Sequence, residues 1–339
     1  MVTKLLNAEK TENIELCADI IRHGGLVAFP TETVYGLGAD GLCGDAVNRI
    51  FSAKGRPSDN PLILHVSSIE QAASLYTDVP DSFFKLAEVF WPAPLTIICK
   101  KAHVVPDETS AGLDTVAVRM PANEYALKLI ELSGVPVAAP SANLSGKPSP
   151  TLAKHVYADM FGRIDAILDG GACKYGVEST VISLVGEPTI LRPGCITPKM
   201  LSAVIGSVKV AESVSKPLAK GEKVLSPGMK YMHYSPDAKV IAFSGSADEI
   251  AQKIIRKYEE CKDKRCVIFA SEENEGKYAG KNYVVVGKRS DPVTFCSSLF
   301  SRFREYNDFD CIFCEALSLE DEGLAYMNRL LRACGFNVL

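Results

Sequence analysis

From Lys239 onward the sequence alternates short apolar runs with amphipathic ones, and this alternation leaves few folds open. Lys239–Phe243, Cys266–Ala270, Tyr283–Val286 and Asp310–Cys314 read as strands. Ala247–Cys261, Pro292–Tyr306 and Leu319–Cys334 read as helices between and after them. Strands that alternate with helices predict a small parallel sheet, a Rossmann-like α/β domain. No catalytic constellation stands out within it.

The stretch before it is of another kind. Residues 207–230 hold Lys209, Lys216, Lys220, Lys223 and Lys230, two prolines and little apolar periodicity, which reads as a linker. It runs into Ser226-Pro227-Gly228-Met229-Lys230-Tyr231-Met232-His233-Tyr234-Ser235-Pro236, too aromatic for a plain spacer and suited to docking on a surface. The expected division is 1–206, a linker at 207–236, and 237–339.

Charge bounds what such a chain can bind. The 339 residues carry a net charge of −4 at an isoelectric point near 5.8. Residues 1–206 hold 17 Lys and Arg against 22 Asp and Glu, and residues 207–339 hold 20 against 19. Neither part grips nucleic acid by bulk charge. No run of 18 apolar residues occurs and Met1–Asn7 lacks the apolar core of a signal peptide, so a cytoplasmic location is expected. The 11 cysteines have no framework spacing and read as reduced core residues. Cys311 and Cys314, three apart on a strand, would face opposite sides of the sheet.

The candidate chemistry lies in the first 206 residues. A helix over 9–23 stops at Gly24-Gly25 and is followed by the strand Leu26–Phe29. Thr31 and Thr33 come next; hydroxyls at a strand end line small polar pockets, or tie a turn. Gly36-x-Gly38-x-x-Gly41 matches a dinucleotide fingerprint only formally, because no helix starts at its first glycine. A helix over Asp45–Ala53 is ended by Gly55 and Pro57, which holds Lys54 and Arg56 at its terminus before a turn at Asn60-Pro61. Two cations there suit a polyanion such as a nucleotide phosphate, or are simply solvated where the helix dipole favours them.

The strand Leu62–Val66 contains one polar residue, His65. Residues 68–91 read as helix, Leu95–Cys99 and Thr115–Val118 as strands, and 122–132 as helix. Arg119 closes the second of those strands, where a carboxylate would suit it: a structural acid, or a bound amino acid. The buried run Val135–Pro140 emits Ser141-Ala142-Asn143-Leu144-Ser145-Gly146-Lys147-Pro148-Ser149, small and hydroxylic enough for a ligand to lie against its backbone. Gly176-Val177-Glu178-Ser179-Thr180 leads into the strand Val181–Leu184, and Arg192 stands at a further strand end. Walker-type, HExxH and GxSxG motifs are absent from the sequence.

Lys54-Gly55-Arg56-Pro57, Pro30-Thr31-Glu32-Thr33-Val34-Tyr35-Gly36-Leu37 and Ser141-Ala142-Asn143 together resemble the YrdC-like domain of threonylcarbamoyl-AMP synthases. The family's KxR…SxN tetrad is matched by Lys54, Arg56, Ser141 and Asn143. The stretch Ser226–Tyr234 resembles the linker of its long, two-domain members, with Met232 where arginine is expected. Gly323-Leu324-Ala325 and Met327-Asn328-Arg329-Leu330 resemble their extra α/β domain.

This resemblance implies an N-terminal twisted mixed-sheet α/β domain, a linker lid and a C-terminal Rossmann-like domain. It implies synthesis of L-threonylcarbamoyladenylate from L-threonine, bicarbonate and ATP, with release of pyrophosphate. The product would pass to a tRNA threonylcarbamoyl transferase complex that modifies the adenosine beside the anticodon. Thr33, His65, Arg119, Ala139 and Ser179 would hold threonine, with Arg119 on its carboxylate. Arg56, Asn60, Thr115, Ser141, Asn143, Ser149 and Arg192 would hold ATP, with Lys54 and Arg56 at the reacting phosphates. Tyr234 would reach back as part of the lid, and Mg2+ would arrive mainly on the phosphates. The competing expectation is a double-stranded-RNA-binding module without catalysis.

Overall fold

The computed structural model describes residues 2–216 and 234–339. The stretch Ser226–His233, with Met232, lies outside the described residues.

Strand β1 (Lys4–Asn7) leads into α1 (Thr11–Arg22), whose Ile14, Cys17, Ala18 and Ile21 are buried at the expected helical spacing. Strand β2 (Val27–Phe29) follows, then β3 (Gly36–Asp40), which pairs with it antiparallel. Gly36 and Gly38 of the formal fingerprint therefore lie inside a strand, and Gly41 follows its end. An ideal Cβ on Gly38 would stand 2.8 Å from the Phe29 ring, so these are close-approach glycines and not a phosphate loop.

Helix α2 (Gly44–Lys54) ends on Gly55 in the left-handed region at φ 62°, and β4 (Ile63–His65) comes after it. Residues 68–91 divide into α3 (Ile69–Ser74) and α4 (Asp81–Phe90), because Pro80 cannot continue a helix from Leu75. The remaining elements of this part are β5 (Leu95–Lys100), α5 (Asp107–Ser110), β6 (Thr115–Arg119), α6 (Glu124–Ser133), β7 (Val137–Ala138), α7 (Ala153–Met160), β8 (Ala166–Asp169), β9 (Thr180–Ser183), β10 (Thr189–Arg192) and α8 (Pro198–Ile205). Strand β11 (Lys209–Val210) and a 3-10 turn at Glu212–Val214 occupy the start of the stretch read as linker.

These eleven strands join in one mixed sheet, in the order β1-β8-β2-β3-β7-β4-β6-β5-β9-β10-β11. Both faces are covered. Val27 and Phe29 pack with α1 and α6, while Ala28 faces the larger cluster that includes Val47, Ile50 and Phe51 of α2.

The C-terminal part contains β12 (Lys239–Phe243), α9 (Ala247–Glu260), β13 (Cys266–Ser271), β14 (Tyr283–Gly287), α10 (Val293–Glu305), β15 (Cys311–Glu315) and α11 (Gly323–Ala333). Its four strands are all parallel, in the order β12-β15-β13-β14. Cys311 and Cys314 lie in different apolar clusters on opposite faces, and every cysteine is free.

The two parts share a core. Val34 and Val177 pack into the cluster formed by Phe295, Leu299 and Phe300 of α10 and by Tyr326 and Leu330 of α11. An ideal Cβ on Gly176 would come within 2.6 Å of the Ser297 backbone, so only glycine allows α10 to dock there.

Candidate active site

One recess lies at the ends of β4 and β6 and the start of β9, with Tyr234 against it. Thr31, Thr33, Arg56, His65, Arg119, Ala139, Ser141, Glu178, Ser179, Arg192 and Tyr234 are among its lining. Three guanidinium groups thus face one lining carboxylate.

Its first wall is built by strand register. His65 of β4 stands opposite Arg119 of the parallel β6, so the two side chains emerge together. Thr31 Oγ1 donates to Val34 O at 2.7 Å and accepts from Thr33 N at 3.1 Å, folding the chain into a tight turn. That turn sets Thr33 Oγ1 to accept from Arg119 Nη1 at 3.0 Å. On its far side Arg119 Nη2 forms an ion pair with Glu32 Oε1 at 2.6 Å. Burial, reinforced by Arg119, pushes the His65 imidazole down to about 3, so it is neutral and its Nδ1 has no partner among the described residues.

A second wall is the Ala139–Asn143 loop. Ala139 N donates to Ile63 O, Leu37 N to Pro140 O and Ala142 N to Tyr35 O, which pins the loop over β3 and β4. Lys54 reaches underneath, 3% exposed. Its Nζ donates to Asn143 O at 2.6 Å and to Ser141 O. Burial and the neighbouring Arg56 lower its pKa. Asn143 Nδ2 donates to Leu144 O and Lys147 O, closing the same loop from its other end.

The third wall carries charge. Arg192 Nε donates to Ser179 O at 3.0 Å and its Nη2 to Ser179 Oγ at 3.1 Å, while Thr96 Oγ1 pairs with Ser179 Oγ at 2.7 Å. Glu178 accepts from Ser149 Oγ at 2.5 Å and from Arg329 Nε at 2.9 Å. Burial opposes its ionisation, but Arg329, Arg192 and the Ser149 hydroxyl outweigh it and hold its pKa below the ordinary value. Tyr234 lines the recess at φ 69°, its ring stacked on Phe300 at 5.1 Å.

Thr33, His65, Arg119, Ala139 and Ser179 are therefore brought together, with Arg56, Ser141, Arg192 and Tyr234 beside them. Lys54, Asn143 and Ser149 stand in the walls, and Asn60 is fully buried next to Arg56, whose Nη2 donates to Asn60 O at 3.3 Å. Thr115 starts β6 and lies outside the lining, about 13 Å along the strand from Arg119. Sequence reasoning gave no role to Glu32, Glu178 or Arg329. Their partners are distant in sequence, and only the acidic side chains inside two hydroxyl-rich turns hinted at them.

Fold and recess together define a two-domain α/β protein with a recess suited to a small carboxylate next to a polyanion. The family model described as "Telomere recombination" matches residues 19–194, and that described as "Threonylcarbamoyl-AMP synthase, C-terminal domain" matches residues 196–335. The Threonylcarbamoyl-AMP synthase of Pyrococcus abyssi is 46% identical over 332 residues, covering 96% of this chain and 95% of its own. That of Bacillus subtilis is 45% identical over 331 residues, covering 96% and 94%. The crystal structure of P. abyssi Sua5 complexed with L-threonine has a TM-score of 0.92 at 44% identity, covering 100% of this chain and 99% of that one. The chain belongs to the threonylcarbamoyl-AMP synthase family.

Proposed function

We propose that this chain makes L-threonylcarbamoyladenylate from L-threonine, bicarbonate and ATP. The threonine nitrogen bonds to the carbon derived from bicarbonate, with loss of water. A carbamate oxygen then attacks the α-phosphorus, the bond to the β-phosphate oxygen breaks, and pyrophosphate leaves. The product serves the threonylcarbamoylation of tRNA next to the anticodon by a separate transferase complex.

The observation that carries this reading is the adjacency of two kinds of wall in one recess. Arg119, Thr33 and neutral His65 form a pocket for an amino-acid carboxylate, and Val34, Ile63 and Ala139 offer apolar surface to a β-methyl group. Arg56, Ser141 and Arg192 continue that pocket toward a phosphate chain. Catalysis is then positioning and charge neutralisation. A neutral His65 spares the threonine amine a further cation. Tyr234, which lines the recess, would help keep water from the carbamate.

Magnesium enters this reading as part of the nucleotide substrate. Among the described residues no group of three or more His, Cys, Asp or Glu forms a metal cage, and Glu178 is committed to Ser149 and Arg329. Phosphates and water suit such an ion. The RNA-binding alternative needed an exposed basic groove at Lys54 and Arg56, yet Lys54 is buried and spent on two carbonyls.

Pyrophosphate release from MgATP tests the proposal, with threonine and bicarbonate omitted in turn. Release that requires both is the expected result. Release independent of threonine overturns it.

A further inference from the structure

We propose that Arg329 of the C-terminal domain is a positioning residue for the nucleotide half of the recess, acting through Glu178. The proposal rests on the nucleotide reading above.

Arg329 belongs to α11, yet every one of its recorded hydrogen bonds except that to Asn328 is made to the N-terminal part, and it is 0% exposed. Nε holds the Glu178 carboxylate at 2.9 Å, Nη2 holds the Glu178 carbonyl at 3.0 Å, and Nη1 holds the Pro193 carbonyl at 2.7 Å. Glu178 precedes Ser179, and Pro193 follows Arg192. One planar fork from another domain therefore fixes both chain segments that carry this wall. The other Glu178 oxygen accepts from Ser149, which extends the hold to the Ser141–Ser149 loop.

The charge arrangement gives this hold its consequence. Glu178 is buried and lines the recess, and the cations that act on it are Arg329 first, then Arg192, with Lys54 contributing as well. With Arg329 in place, the carboxylate is satisfied from behind and Arg192 stays on Ser179. Without Arg329, a buried carboxylate is left with Arg192 as the strongest of its remaining cations. Arg192 is then drawn to Glu178 and withdrawn from an incoming phosphate. The guanidinium of Arg329 also lies over the Tyr234 ring, 5.8 Å from its centroid, so the same residue seats a recess-lining residue of the linker. Threonine's carboxylate contacts at Arg119, Thr33 and His65 lie on the first wall, and Arg329 bonds none of them; Ser179, the threonine candidate on the braced wall, keeps its bond to Thr96 Oγ1 without Arg329.

The test is direct binding by the full-length chain, read separately for two ligands by calorimetry: α,β-methylene-ATP with magnesium, and L-threonine alone. Arg329→Met is expected to weaken the nucleotide analogue by about tenfold or more, the scale of a lost charge-assisted contact, with threonine affinity kept within about twofold. Arg329→Lys keeps a cation but not the fork, and is expected to fall between wild type and Arg329→Met. Equal weakening of both ligands, or no change in the nucleotide, overturns the proposal. If Arg329→Met does not fold, Arg329→Lys decides by the same comparison. Binding needs no turnover, so failure of the synthase reading shows separately, as wild-type protein that releases no threonine-dependent pyrophosphate.

Discussion

Glu32 and Arg119 are buried together, a carboxylate oxygen 2.6 Å from a guanidinium nitrogen, directly behind the place where a substrate carboxylate would meet the same arginine. Sequence reasoning offered Arg119 either an internal acid or a bound amino acid. The geometry allows both at once: Glu32 on Nη2, Thr33 on Nη1, and a ligand from the recess side. Neither Glu32 oxygen meets a hydrogen-bond donor in bonding geometry among the described residues, so the ion pair is what holds this acid in place. Glu32→Gln removes the charge that fixes Arg119. The expected result is a threonine KM raised about tenfold with the ATP KM within about twofold, from loss of one buried ionic contact. Unchanged threonine KM would mean that Thr33 and the Ala93 carbonyl suffice to orient Arg119.

Lys54 permits a sharp distinction between two roles. If it serves only the phosphates, the ligand-free protein does not need it. Its ammonium instead ties Ser141 O and Asn143 O, both in a loop that also forms a wall of the recess. Lys54→Met therefore leaves two carbonyls short of a donor and is expected to cost about 2–4 kcal/mol of stability without any ligand. The midpoint of urea unfolding measures this. A variant as stable as wild type but inactive would return Lys54 to the phosphates alone.

Two buried histidines set the acid limit of the fold. Burial and Arg119 push His65 down to about 3, and burial, Arg304 and Lys154 push His155 down to about 4, from an ordinary value of 6.5. The unfolded chain binds these protons at higher pH than the folded one does. Their contribution to stability is complete above about pH 6.5 and is lost progressively as the pH falls toward 4 and then 3. Urea midpoints taken from pH 8 to pH 4.5 should be flat above 6.5 and fall below it, with a shallower fall in His155→Asn. A threonine KM that shows a His65 transition between pH 6 and 8 would contradict the neutral imidazole.

How much of this was legible depended on where each residue finds its partners. The strands of the C-terminal sheet were readable because they are covered on both faces, which makes runs such as Cys266–Ala270 apolar throughout. Strand β3 was not readable, because Gly36 and Gly38 have low strand propensity and are required by the Phe29 ring beneath them. Local spacing put Arg56 and Arg119 at element ends and His65 within a short strand, and register then brought His65 and Arg119 side by side. Glu178 and Arg329 stand 151 residues apart, and no period or motif within either domain announces a bond between them. Contacts across the domain boundary are the part of this site that a linear reading loses.

Asn60 offers the cleanest separation of stability from binding. It is 0% exposed, and neither its Oδ1 nor its Nδ2 has a hydrogen-bond partner among the described residues. Such a group costs the ligand-free fold about 1–3 kcal/mol and is retained where a ligand later satisfies it. It sits four residues after Arg56, whose guanidinium touches its carbonyl, so a nucleotide on Arg56 is within reach. Asn60→Leu keeps the branched skeleton and removes the polar atoms. The ligand-free variant is expected to unfold at a urea concentration equal to or above that of wild type, while ATP affinity falls about tenfold. A destabilised variant with intact ATP binding would assign the amide to the fold and remove Asn60 from the nucleotide site.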